Sequence, residues 1–124
     1  MLVAKYPNWV AIVEDRKNGF LFFDGAKDFF KYLFDVSKYR PGRRAEHISR
    51  MLVTEFYGLT RIDARKAFFV TGSDVLGPMG HELIPLASRE DAKEFLADHK
   101  GRRILVFDEV TRDLVAKLDA GRPD

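Results

Sequence analysis

The sequence contains no cysteine. Disulfides, zinc–cysteine sites and thiol catalysis are therefore excluded for the chain as given. It has no apolar run approaching the ~20 residues of a membrane-spanning helix. It also lacks a surplus of either charge: 21 Lys+Arg face 19 Asp+Glu, for a formal net charge of +2. That balance predicts no strong field for nucleic acid or for a membrane surface. The opening Met1-Leu2-Val3-Ala4-Lys5-Tyr6-Pro7 has neither the basic start nor the apolar stretch of a signal peptide. This fits a cytosolic chain as well as a mature or trimmed form of an exported one. A P-loop, a dinucleotide fingerprint, His-Glu-x-x-His and a nucleophile elbow are all missing, so the sequence offers no case for an enzyme.

What is present fits one soluble domain. The 124 residues are 46% hydrophobic and 32% charged, and 11 of them are Phe, which promises an aromatic core. Segment 9–14 reads as a buried strand, followed by a polar turn ending in Asn18-Gly19 and a second strand over 20–23. Asp24 is placed to cap a helix running through Phe34, with Ala26, Phe29, Phe30 and Leu33 on one face. A strand is expected over 51–57, although Ile48, Met51 and Leu52 also fit a helical stripe; a connector over 58–66 and a strand over 67–71 follow. After a Gly-rich turn, a strand over 83–86 leads to Ser88-Arg89-Glu90-Asp91, which resembles a capping box with a short acid. The helix beyond it runs to about His99 and is stopped by Gly101. A strand over 103–107 and a helix over 111–118 complete the chain.

The pattern implies an α+β fold with a weak internal repeat, in units of about 1–57 and 58–124. Asp28 aligns with Asp91, Tyr32 with Phe95 and Leu33 with Leu96. Both units read strand, turn, strand, helix. The first turn is longer in the second unit by the segment 72–82, an insertion of the kind that often carries function.

That insertion holds Gly77-Pro78-Met79-Gly80-His81-Glu82. A methionine among turn residues has two readings. It fills a core gap, the usual fate of Met, or its thioether is free to bind a soft ion such as Cu(I). Met1 is either only an initiator or a second thioether ligand. His81 is either solvated or a nitrogen donor. His99 is best explained as a charge at a helix C-terminus, and His47 has no evident partner. Arg40, Arg43 and Arg44, around Pro41-Gly42, form a basic cluster: a solvated loop, or a docking site for an acidic partner or a phosphate. No aromatic interleaving of the single-strand-binding type accompanies them. Asp24 and Asp28 sit where a helix start favours negative charge, which is not a catalytic arrangement.

Several stretches together resemble the NosL family, accessory proteins of nitrous oxide reductase. They are Tyr6-Pro7-Asn8-Trp9-Val10-Ala11, the run from Phe22 to Phe30, the run from Ile62 to Ser73 and Gly77-Pro78-Met79-Gly80-His81-Glu82-Leu83-Ile84-Pro85. The resemblance continues through Asp91 to Phe95 and Leu105 to Glu109. It implies two related ββαβ-type units in one compact domain. It also implies a Cu(I)-binding chaperone, exported and periplasmic or envelope-anchored through a lipid upstream, that delivers copper for the copper–sulfide centre of the reductase. In that family the ligands are an N-terminal Cys-x-Met and the methionine of Gly-Pro-Met-Gly, which falls on Met79, while Met1 falls on the methionine of Cys-x-Met. The expectation is that a Cys-x precedes Met1 in the full gene product. A reading frame without a Cys codon two residues upstream of Met1 removes it. The alternative function is a non-metal interaction module on the same scaffold, without a complete copper site. A weaker third reading, a nucleic-acid or phosphate binder using Arg40 to Arg44, is opposed by the near-neutral charge.

Overall fold

In the computed structural model, which describes residues 6–16, 19–39, 48–78 and 80–121, strand β1 (Ala11–Asp15) lies between β2 (Gly19–Phe23) and β3 (Ile48–Thr54). A fourth strand, β4 (Arg61–Asp63), extends the sheet beyond β3, and all its pairings are antiparallel. Ala11 and Val13 point into the core and alternate with half-buried Ile12 and Glu14, the period of two expected of a strand with one covered face. In β3 the inward residues Ile48 and Met51 are three apart. The register shift between Glu14 and Asp15 explains this, because one extra residue in β3 flips the facing of everything before it.

The second sheet repeats the same order with β5 (Phe68–Thr71) at its centre, flanked by β8 (Ile84–Leu86) and β9 (Arg103–Val106), again antiparallel. Between β5 and β8 the chain makes a separate two-stranded hairpin, β6 (Leu76–Gly77) and β7 (Gly80–His81).

Helix α1 (Ala26–Tyr39) follows β2, α2 (Arg89–Asp98) follows β8, and α3 (Arg112–Asp119) ends the described chain after a short 3-10 turn over Phe107–Glu109. The second sheet is covered on both faces. Val70, Ile84 and Leu86 pack with Ala92 and Phe95 of α2, whereas Phe69 and Leu105 belong to the main core with α1 and the first sheet. Phe30 of α1 is the hinge of that core: its ring lies 5.0 Å from Phe29, 5.3 Å from Phe69 and 5.4 Å from Phe107. Edge-on and tilted contacts of this kind add to simple area burial.

The α+β expectation and most elements stand. α1 runs past Phe34, because nothing from Asp35 to Tyr39 breaks a helix and the next proline is Pro41. β3 ends at Thr54 rather than at 57, since the Glu55 carboxylate accepts the N–H groups of Tyr57 (3.0 Å) and Gly58 (2.6 Å) and folds those residues into a turn. The expected connector contains β4, whose only apolar residue is Ile62. α2 is capped as expected, Ser88 Oγ accepting the Asp91 N–H at 3.1 Å. Its stop differs: Lys100 takes the left-handed conformation (φ 58°), and the Gly101 N–H returns to the Leu96 carbonyl at 2.8 Å. Gly101 is needed for closeness, since a Cβ there would stand 2.6 Å from Val70.

Truncating the ring that joins α1 to the second sheet should be costly. Phe30→Ala is expected to lower unfolding stability by roughly 3–5 kcal/mol in a urea titration; a loss under about 1 kcal/mol would contradict this packing.

Candidate functional site around the β6–β7 hairpin

The segment singled out in the sequence is a hairpin with two paired residues per strand, Leu76 opposite His81 and Gly77 opposite Gly80. Gly80 has φ 91°, a backbone conformation that glycine adopts without strain. His81 is half-buried on β7, across from the exposed Leu76.

Met79, Met1, Arg40, Arg43, Arg44 and His47 lie outside the described residues. Of the expected donors, His81 alone is placed. Among the described residues, no three His, Asp or Glu side chains come together as a metal cluster. His99, read as a helix-end charge, is the residue that closes α2. Its Nδ1 lies 3.1 Å from Asp74 Oδ1, and its carbonyl accepts the Asp74 N–H at 2.8 Å. These contacts pin the start of the inserted segment to the end of α2.

The N-terminal segment reaches the hairpin. Trp9 closes a turn through its N–H to the Tyr6 carbonyl, at 2.9 Å, and its indole lies against the Gly77 backbone. A Cβ at Gly77 would be 3.4 Å from the indole ring and 3.3 Å from Glu82 Cγ.

Glu82 follows the hairpin directly and is 3% exposed. Its Oε1 accepts the Lys27 N–H at 2.6 Å and the Leu83 N–H at 3.0 Å. Burial pushes its carboxyl up to about 7, against the pull of the two N–H groups and the Lys27 charge, with Asp28 adding to the rise. A Cβ on Gly25 would overlap Glu82 Oε2. Lys27 is itself 1% exposed, with its Nζ 3.7 Å from Asp119 Oδ1. Lys31 Nζ donates to Asp119 Oδ2 at 3.0 Å, which holds that carboxyl below its ordinary range and raises the Lys31 ammonium.

Sequence reasoning gave Glu82, Lys27, Gly25 and Trp9 no role. One signal was available: a lone acid heading the apolar run Leu83-Ile84-Pro85-Leu86 must be buried with partners or turned outward.

The fold is thus an α+β scaffold of two antiparallel sheets bearing a short hairpin in its second half. The family model described as NosL matches residues 1–115, and the chain belongs to the NosL family. The copper-binding lipoprotein NosL of Stutzerimonas stutzeri is 39% identical over 54 residues. That match covers 44% of this chain and only 28% of the relative's length. Among solved structures, the crystal structure of the copper chaperone NosL from Shewanella denitrificans has the same fold, with a TM-score of 0.72 at 23% identity over 91% of this chain and 86% of that one. The solution structure of the apo-NosL protein from Achromobacter cycloclastes aligns with a TM-score of 0.54 at 28% identity over 85% and 87%.

The raised carboxyl makes stability fall with pH. Glu82 binds its proton more tightly folded (about 7) than at its ordinary value of 4.5, so this contribution is full below about 4.5 and lost as pH rises to about 7. The size is on the order of a few kcal/mol. Glu82→Gln keeps an acceptor but cannot ionise, so relative to it the wild type should lose stability between pH 5 and 8 in urea titrations. A pH-independent difference between the two would contradict the assignment.

Proposed function

We propose that the chain is a Cu(I)-binding accessory protein that carries copper to a receiving protein. By resemblance the recipient is nitrous oxide reductase, during assembly of its copper–sulfide centre. The observation that carries this reading is the Trp9–Gly77 contact, in a family whose relatives are named for copper binding. It sets the N-terminal segment beside the hairpin that contains Met79, where the family resemblance expects ligands from both.

The chemistry supports the same reading. Thioethers are soft donors that favour Cu(I) over the harder ions around it. Met79 and Met1 would supply two of them, and His81 an accessory nitrogen. A thiolate from an upstream Cys-x would complete a set strong enough to hold copper. Few ligands on a short hairpin suit handover, because the recipient's donors can replace them one at a time. The chain is read as envelope-anchored on the strength of a relative named as a lipoprotein. Among the described residues no helix is long and apolar enough to cross a membrane. Arg40, Arg43 and Arg44 would offer an acidic recipient a docking loop.

The second reading is an interaction module on the same scaffold without a complete copper site, which the lack of cysteine in the 124 residues favours only where no further residues precede them. Competition for Cu(I) against a chromogenic chelator separates the two. The copper reading expects measurable uptake and a loss of at least about ten-fold in affinity for Met79→Ala, since removing outer partners of metal ligands already costs that much. Equal affinities would rule Met79 out, and no uptake by the wild type would favour the interaction module.

A further inference from the structure

Gly25 precedes the first residue of α1 and brings no side chain, and the first-turn N–H of Lys27 donates to Glu82, 55 residues further along the chain. The first N–H groups of a helix have no partner within it, and a carboxylate there is favoured by the helix dipole as well. The same Oε1 takes the Leu83 N–H. The end of the β6–β7 hairpin and the start of α1 therefore meet on one buried oxygen.

The surrounding chain is shaped for that meeting. Gly25 leaves room for Oε2, and Gly77 leaves room for Glu82 Cγ on one side and the Trp9 ring on the other. A second tie runs through α3, which packs against β7 and whose Asp119 pairs with Lys27 and Lys31 of α1. Hairpin, α1 and α3 form a closed ring of contacts.

We propose that Glu82 is a positioning residue for cargo binding: its buried carboxylate locks the β6–β7 hairpin onto the first turn of α1 and so holds in place the hairpin to which copper binding is assigned above. This rests on the copper reading above. A hairpin with two paired residues per strand is too short to hold itself in place. Its rigidity must come from outside, and Glu82 is the polar anchor at its base. Glu82 acts through the hairpin without touching the ion, as outer partners of metal ligands commonly do.

Three variants test this: Glu82→Ala removes the anchor, Glu82→Gln keeps the acceptor, and Ile62→Ala loosens the β4 edge of the first sheet. Each is measured for Cu(I) affinity by chelator competition and for amide hydrogen exchange at Leu76, Gly77, Gly80 and His81 without copper. Glu82→Ala is expected to bind Cu(I) about ten-fold or more weakly and to exchange the hairpin amides faster than those of β5. Glu82→Gln should restore both, and Ile62→Ala should change neither. Unchanged hairpin exchange in Glu82→Ala, or a loss of affinity no larger than that of Ile62→Ala, overturns the proposal. If Glu82→Ala fails to fold, Glu82→Gln decides: wild-type exchange and affinity support the acceptor role, and loss of both refutes it. If the wild type takes up no Cu(I), the copper reading falls and the exchange comparison decides whether Glu82 positions the hairpin.

Discussion

One carboxylate, placed where two halves of the chain meet, organises the functional end of this molecule. Glu82 is an acid taken out of water, and such a group is tolerated only when its lone pairs are met. Two backbone N–H groups meet them, one from its own segment and one from α1. That requirement explains otherwise unrelated residues: the glycine before α1, the glycine of β6, and a lysine with its ammonium turned to Asp119. Burial still wins over these partners, which is why the carboxyl sits near 7 rather than near 4.5. The aromatic core built on Phe30 supplies the bulk of the packing. The carboxylate supplies the register between that core and the hairpin.

On the proposed reading, this division of labour suits a carrier. Two sheets and three helices among the described residues form the scaffold, and on this reading it need supply no metal ligand from its interior. The donors would come from the short hairpin and from the segment before β1, which meet where Trp9 lies against Gly77. Soft ligands at such a margin select the ion without enclosing it. Release then requires no unfolding of the core.

Much of this was legible in the sequence, for reasons that can be given residue by residue. The apolar run from Trp9 to Val13 marked β1, and the stripe of Phe29, Phe30 and Leu33 marked α1, because one covered helix face leaves a strong pattern. Ser88 announced its helix because a hydroxyl cap acts within three residues, and Thr111 caps α3 in the same way. What escaped was non-local. Asp24 looked like the cap of α1, whereas the capping oxygen comes from Glu82, and no local spacing reveals a partner 55 residues away. β4 escaped because three residues with one apolar side chain carry no period. Lys100 escaped because glycine is the usual left-handed residue and Gly101 stood next to it. The hairpin's composition pointed to a turn and a soft ligand. Its anchoring was not legible, because burial of an acid depends on what the rest of the chain packs around it.

The central claim is that copper is taken up at the β6–β7 hairpin and that this hairpin is tied to α1 through Glu82. The most direct measurement is residue-resolved nuclear magnetic resonance of the isotope-labelled chain during titration with Cu(I). The account predicts that the amides of Leu76, Gly77, Gly80 and His81 and the Trp9 signals shift first. The Lys27 amide, which reports on the bond to Glu82, should shift with them. Shifts confined to α2 and the His99–Asp74 pair, with the hairpin and Lys27 stationary, would contradict it.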